Sequence, residues 1–230
     1  MGKTLFMSVF TFFLVSFACS GQSSAFNLST PGRPMLEVNG VTKPELTIDI
    51  ISVSCDTGLN KLEVTLNNWD PSSVSYKFSD SSLFNPGVRV ALYMGPSDSL
   101  VKIFDGTITT CSPHFLETIP STFTFVASGS TLMSNNNYMQ FSIGADLLHF
   151  EPTLVSQNGT IECTGLTDGN SGILNGTSLS ISGVGQRYSR TYIVTKTIHT
   201  FDMSRGYKTQ FSATSRTSPV ILDRAIRSRQ

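Results

Sequence analysis

The amino-acid sequence predicts an all-β protein built as two small β-barrels in tandem, joined by a short linker and containing little helix. From Glu37 onward, short runs of alternating apolar and polar residues are separated by turn residues, which is typical of half-buried strands. Ser, Thr, Asn and Gly are abundant, whereas runs of helix-favouring residues are missing. The 230 residues are enough for one large domain or two small ones.

The alternating runs divide the chain into two halves of similar character. We expect a first barrel over residues 36–128, a polar linker over residues 129–138 and a second barrel over residues 139–216. Residues 217–230 form a basic tail, which we expect to be frayed or ordered by a partner; a docking helix or peptide is the alternative. The tail combines three arginines with three apolar residues: Arg224, Arg227, Arg229, Val220, Ile221 and Ile226.

The first hairpin is predicted from two alternating segments. In "ELTIDIISVSC", Leu46, Ile48 and Ile50 lie on one face, and the alternation slips at Ile51, which predicts a β-bulge. The segment "KLEVTLNNW" supplies the second strand after the turn "TGLN". Further strands are expected in "VRVALYM", "LVKIFDGTITTC" and "STFTFVAS", and a short edge strand in the loop "DPSSVSYKFSDSSLFNPG".

The second half contains five strand-like runs and ends in a predicted hairpin. The runs are "YMQFSIG", "GTIECTGL", "GTSLSISGVG", "RTYIVTKTIHTF" and "YKTQFSATS". The segment "HTFDMSRGYKTQFSATSR" has Thr- and Phe-rich arms on both sides of a Gly-containing turn, which is the pattern of a β-hairpin.

Residues 1–25 have the order of a secretory signal peptide. Lys3 precedes an apolar run from Leu5 to Ala18, and small polar residues follow. Cleavage after Ala18, Ser20 or Ala25 fits this pattern. Two other interpretations stay open: a retained apolar arm, or a start at Met35.

Charge and cysteine content exclude some classes of protein. Lys and Arg together number 16, as do Asp and Glu, so no net field draws the chain to nucleic acid. Three cysteines remain beyond the leader, Cys55, Cys111 and Cys163, and none has the CxxC spacing of a metal or redox site. We expect buried thiols; one Cys55–Cys111 disulfide is the alternative if the protein is exported.

No catalytic, cofactor-binding or metal-binding residue is predicted. His114, His149 and His199 are too far apart for metal-ligand motifs, and His199 sits in an alternating strand, where a structural role is expected. Asp105 and Asp202 precede turns, where Asp accepts hydrogen bonds from nearby amides. Trp69 and Tyr76 are candidates for an aromatic sugar platform, although rim or core positions are more usual. These features indicate an assembly component or a binding module, without enzymatic activity, cofactor or small-molecule substrate.

A family resemblance rests on "GVGQRYSRTYIVTKTIHTFDMSRGYKTQFSATSR", residues 183–216. This segment resembles the closing segment of the phage late control protein D family, the baseplate hub proteins of contractile tails, and the hub portion of type VI secretion spike proteins. The matching positions are Gly183, Gly185, Tyr188, Tyr192, Val194, His199, Phe201, Asp202, Gly206, Tyr207, Thr209, Phe211 and Arg216.

The first half resembles the same family in order. The segments "LEVNGV", "IISVSCDTGLNKLEVTLNNWD", "FNPGVRVALYMG" and "KIFDGTITTCSPHF" follow the first barrel of that family, with Phe104, Gly106 and Ile108 in its F-x-G-x-I motif. Residues 147–170 resemble the start of its second barrel. The resemblance covers roughly residues 36–216, but the α+β region that usually separates the barrels is replaced by the short linker.

The resemblance implies a structural baseplate hub protein of a contractile phage tail or tail-like injection system. Such a protein forms a homotrimeric ring that adapts the tube to the spike, and its partners are the spike and the tail-tube or baseplate proteins. It is assembled in the cytoplasm and ends in the virion or particle baseplate. The alternative is an exported β-rich binding module, an adhesin or carbohydrate-binding domain, secreted or periplasmic if residues 1–25 are a cleaved signal peptide.

Overall fold

The computed structural model describes residues 32–115, 117, 120–131, 137–155 and 159–216. The signal-like segment, the middle of the predicted linker and the basic tail lie outside these residues, so the predictions made for them stay predictions. The described part of the chain contains no helix of sufficient length and apolar character to span a membrane.

The first half contributes nine strands. They are β1 (Met35–Val38), β2 (Val41–Lys43), β3 (Ile50–Asp56), β4 (Lys61–Asn67), β5 (Trp69–Asp70), β6 (Ser75–Tyr76), β7 (Arg89–Met94), β8 (Val101–His114) and β9 (Thr122–Thr131). In β4 the apolar side chains of Leu62, Val64 and Leu66 are buried on one face, as its alternation predicts.

The second half contributes six strands. They are β10 (Tyr138–Ser142), β11 (Leu147–Leu154), β12 (Thr160–Asp168), β13 (Ser178–Ser182), β14 (Arg190–Asp202) and β15 (Gly206–Arg216). The hairpin predicted at residues 199–216 is formed by β14 and β15. In its turn, Oδ1 of Asp202 accepts a hydrogen bond of 2.8 Å from the amide of Ser204, and Gly206 adopts a positive φ of 70°.

The described strands confirm the all-β prediction, and thirteen of them form one curled sheet. Its order is β11-β12-β15-β14-β3-β4-β9-β8-β7-β1-β2, while β13 pairs with β10 and β14, and β5 and β6 form a separate ribbon. The halves meet where β3 pairs with β14, from Ser52–Asp202 to Asp56–Ile198. Closure of each half into its own barrel is not established by this order and remains a prediction, as do the domain boundaries.

The structure tests several local predictions, and it corrects two of them and confirms one. Residues Pro44–Ile48 form a short 3-10 helix instead of the start of a strand, because Pro44 fixes the backbone at the first helical position and has no N–H for a ladder. The bulge predicted at Ile51 is present, since the register of β3 against β4 shifts between Ile50 and Ser52. Strand β9 continues to Thr131, so the stretch predicted as linker begins inside a strand.

Two clusters of buried side chains fill the interior. One is formed by first-half residues together with Leu174, Phe201 and Tyr207, and the other by residues between Phe141 and Ala213. The β14–β15 hairpin supplies side chains to both clusters: Phe201 and Tyr207 enter the first, and Tyr192, Val194 and Phe211 the second. The hairpin that carries the family resemblance is therefore the joint between the two cores.

Candidate assembly surfaces

His199 lies inside this joint. Its side chain is fully buried, and Nδ1 lies 2.8 Å from the hydroxyl of Tyr207 and 3.3 Å from that of Thr209. Nε2 has no hydrogen bond of normal geometry. The backbone of Ile173 interacts weakly with the imidazole and raises its pKa slightly. Burial outweighs this effect and lowers the pKa of His199 to about 4, so the imidazole is neutral at pH 7.

A polar network beside His199 fastens the two halves together. The amide of Thr57 donates to the backbone oxygen of Thr197 over 2.9 Å, and the amide of Thr197 donates to Oγ1 of Thr57 over 2.8 Å. Oγ1 of Thr57 also lies 2.9 Å from Oδ1 of Asn175. On the outer side, Nζ of Lys196 lies 3.0 Å from a carboxylate oxygen of Asp56. These contacts provide hydrogen-bond partners for buried polar groups, which would be costly to leave unpaired. They therefore give the joint a fixed geometry.

The other polar residues singled out in the sequence do not converge on one site. His114 and His149 are exposed. Asp105 accepts hydrogen bonds of 2.9 and 3.0 Å from Arg89, and that guanidinium, with help from Lys102, holds the pKa of the Asp105 carboxyl below its usual range. The carboxylate of Asp202 accepts hydrogen bonds from backbone amides of its own turn. Among the described residues, no group of three or more His, Cys, Asp and Glu side chains could hold a metal ion.

The three cysteines among the described residues, Cys55, Cys111 and Cys163, are free thiols, so the alternative Cys55–Cys111 disulfide is not formed in this structure. Burial raises the pKa of both Cys55 and Cys163 to about 12. Cys111 is half-buried, and its thiol donates to the backbone oxygen of Phe84 over 3.0 Å. Because the thiolate is the reactive form, Cys55 and Cys163 are chemically inert at neutral pH.

An aromatic cluster is exposed on the β5–β6 ribbon. The ring of Tyr76 lies edge-on between Trp69 and Phe115, with centroid distances of 5.6 and 4.8 Å. Tyr76 is 43% exposed and Phe115 is 53% exposed. At the turn of the ribbon, Val74 is 73% exposed and has a φ of 52°, a strained conformation for a β-branched residue.

The base of the ribbon is firmly held. Asn68 is buried; its Nδ2 donates to the hydroxyls of Ser79 and Ser121 over 2.6 and 3.1 Å, and its Oδ1 accepts from the amide of Phe78. Nζ of Lys77 lies 2.6 Å from Oδ1 of Asp49. The ribbon therefore presents its aromatic rings from a rigid support, which is a property of binding surfaces.

Among the described strands, the main path of the sheet ends in two open edges, β2 and β11, and β10, which pairs only with β13, forms a third edge on a side branch. On β11 the amide of Val155 donates to Thr160, so the alternation along the strand turns the backbone nitrogens of Leu154 and Pro152 outward. Pro152 has no N–H, and a proline is a usual means of protecting an edge strand. The outward backbone groups of the residues on both sides of Pro152 remain available for strand pairing. Val41 on β2 and Leu148 and Leu154 on β11 are exposed apolar residues at these edges.

Comparison with known proteins finds the same fold among phage tail proteins. The 43 kDa tail protein of prophage MuSo2 from Shewanella oneidensis superimposes with a TM-score of 0.53 at 7% identity, over 79% of this chain and 96% of that one. A tail protein from Neisseria meningitidis MC58 gives 0.52 at 6% identity, over 80% and 97%. An Escherichia coli component of the type VI secretion system gives 0.49 at 8% identity over 80% and 77%, a value too low to establish a shared fold.

No family model and no curated protein matches the sequence. The fold is thus shared with these two phage tail proteins, and the likeness extends over nearly the whole length of both of them. At such low identity this likeness shows the fold alone.

Proposed function

We propose that this protein is a structural baseplate hub protein of a contractile phage tail or tail-like injection system. The observation that carries the proposal is the fold shared with two tail proteins over 96% and 97% of their lengths. The residues that resemble the late control protein D family support it, because they form the hairpin that joins the two cores. Fold does not by itself define function, so the proposal also rests on surfaces suited to assembly.

In this proposal, copies of the chain form a homotrimeric ring, and each chain contributes its two halves as two similar barrels. Such a ring presents six similar units to the tube and three identical chains to the spike. A cyclic ring needs a heterologous interface, in which one surface of a chain meets a different surface of its neighbour. The open edges at β2 and β11 belong to different halves, and strand addition between them would supply main-chain hydrogen bonds.

The mass of the protein in solution tests the ring. We expect the chain without residues 1–25 to form trimers at high concentration, measured by sedimentation velocity. Val41→Lys and Leu154→Lys place charges at the two edges and should shift the protein toward monomers. Leu59→Lys is the matched control, because Leu59 is an exposed apolar residue in the β3–β4 turn. A wild-type protein that stays monomeric at all concentrations contradicts the ring.

The hub function is tested independently of oligomer mass. Particles purified from the producing cells should contain this protein together with tube, sheath and spike proteins, and neighbouring genes should encode them. Its absence from such particles contradicts the hub assignment even if the purified protein is trimeric.

The rigid aromatic cluster favours a second candidate function, an exported binding module. Exposed aromatic rings on a fixed support are suited to stacking on a sugar or packing on a cell-surface protein. This function predicts cleavage within residues 1–25 and glycan binding by a monomer that is lost in Tyr76→Ala. Intact mass of the mature protein and a glycan array distinguish it from the hub.

A further inference from the structure

A polar groove runs across the outer face of β11, β12, β15 and β14. It has a volume of about 660 Å³, and a second depression of about 190 Å³ continues it and shares Thr164. Strand register places Thr153, Glu162 and Thr214 side by side in one row, and Glu151, Thr164 and Ser212 in the next. The groove is therefore lined by hydroxyl groups and two carboxylates.

Among the side chains that the structure describes, the groove carries negative charge without a matching cation; Arg216, two residues after Thr214, is the nearest basic residue on β15. Glu162 has no ion-pair partner among the described residues, and Glu151 is met only by His149, whose Nε2 lies 3.6 Å away. The lysines closest in register are engaged elsewhere, Lys196 with Asp56 and Lys208 with Asp168. An open groove with two carboxylates and many hydroxyl acceptors fits a cationic peptide, because arginine binds carboxylates through paired N–H donors.

The residues that follow β15 in the sequence have the character of such a cationic peptide. Residues 217–230 contain Arg224, Arg227 and Arg229 against one acidic residue, Asp223. They also contain the apolar run Val220–Leu222, and an exposed apolar side chain, Ile193, lies opposite Thr214 at one end of the groove. Charge and apolar character of the segment are thus complementary to those of the groove.

The end of β15 lies within reach of the groove. Arg216 pairs with Thr160, two residues along the sheet from the Glu162–Thr214 pair. The eight residues from Arg216 to Arg224 span up to roughly 26–29 Å when extended, whereas adjacent rows of the groove are about 7 Å apart. Ser218 and Pro219 are residues that favour a change of direction at the strand end. Attachment to the same chain gives the segment an effective concentration on the order of millimolar.

We propose that residues 217–230 bind in the polar groove of their own chain, with arginine side chains against Glu151 and Glu162. The bound segment covers part of the outer face of β11, β12, β15 and β14. This inference does not depend on the hub function.

Hydrogen exchange of the full chain, followed by mass spectrometry of its C-terminal peptides, tests the proposal. Amides in residues 220–230 should be protected in the wild type at low salt. Glu162→Lys should raise their exchange rate roughly three- to tenfold, the scale of one or two exposed ion pairs. Arg224→Glu with Arg227→Glu should do the same, and combining these changes with Glu162→Lys should restore protection. Protection should also weaken as salt is raised from about 0.05 to 0.5 M.

Glu63→Lys is the matched control, because Glu63 is an exposed strand glutamate on β4, away from the groove. It should leave the exchange of the segment unchanged. Glu162→Gln provides a milder change if the lysine variant disturbs β12, which exchange of the β14–β15 peptides would reveal. Unprotected amides in the wild type, or equal protection in wild type and both Glu162 variants, overturn the proposal. Protection that grows with protein concentration places the segment on another copy and overturns binding within one chain.

Discussion

The hydroxyl oxygen of Tyr207 lies 2.8 Å from Nδ1 of His199, with both side chains buried where the two cores meet. The pair joins adjacent strands, since His199 pairs with Thr209 and Phe201 with Tyr207 in the β14–β15 hairpin. Burial keeps the imidazole neutral and raises the pKa of the Tyr207 phenol, so the two groups share a hydrogen bond between uncharged partners. The stability of the joint therefore depends on pH.

We expect His199 to weaken the fold in mild acid. Its pKa is about 4 when folded and 6.5 when exposed, so between these values the unfolded chain binds more protons. The stabilisation is complete above pH 6.5, decreases as pH falls, and is lost below about pH 4. At pH 5 the loss should be about 2 kcal/mol relative to pH 7.

Urea unfolding at several pH values measures this effect. His199→Gln should remove that part of the pH dependence even if it lowers stability overall. His149→Gln, at an exposed position, should keep the dependence of the wild type. Identical pH profiles for the wild type and His199→Gln would show that the imidazole is not kept neutral by the fold.

Tyr207→Phe should destabilise the protein by about 1–3 kcal/mol, because it leaves Nδ1 of the buried His199 without its shortest hydrogen bond. Tyr138→Phe is the control, since Tyr138 is exposed on β10. Urea unfolding at pH 7 compares the two, and equal stabilities would contradict the role of this hydrogen bond.

Gly165→Ala should destabilise the second core. A Cβ at Gly165 would lie 2.2 Å from the ring of Phe211, which is buried and cannot move aside freely. Overpacking of this kind costs about 1–3 kcal/mol. In Gly58→Ala the new Cβ meets only the flexible side chain of Lys196, so thermal unfolding should change much less. A small effect at Gly165 would mean that Phe211 has room to shift.

Val74→Asn should stabilise the protein by about 1 kcal/mol, because Asn tolerates the left-handed backbone better than a β-branched residue. The same change at Val101, an exposed residue in a regular strand, should be neutral or destabilising. Thermal unfolding measures both variants. If Val74→Asn is destabilising, the valine side chain makes stabilising contacts that outweigh its backbone strain.

Much of the secondary structure could be predicted because the apolar alternation is local. The β14–β15 hairpin and the bulge at Ile51 follow from the alternation and from turn residues. The sequence pattern does not predict strand β11, because both of its faces are largely exposed and its residues do not alternate in polarity. The sequence pattern does not predict the 3-10 helix at Pro44–Ile48, because Leu46 and Ile48 have the apolar spacing of a strand although Pro44 favours the start of a helix.

Contacts between residues far apart in the chain cannot be predicted from local sequence patterns. No local pattern indicates that β3 pairs with β14, or that Phe115 completes the cluster begun by Trp69 and Tyr76. The strand around His199 predicts a structural role for this residue, but its hydrogen bond to Tyr207 depends on the register of the hairpin. The groove likewise depends on the order of four strands, and no motif marks Glu151 or Glu162.

The pairing of β3 with β14 also has a consequence for the nascent chain. The contact between Thr57 and Thr197 closes a loop of 140 residues, so β3 has left the ribosome long before its partner strand is made. At usual translation rates this delay is roughly 7–28 s. During that time the edge of β3 that faces β14 lacks its partner strand from the same chain, and an unpaired edge is a template for pairing with neighbouring nascent chains on one messenger RNA. We therefore expect chaperone demand during synthesis to fall sharply once residue 202 has emerged.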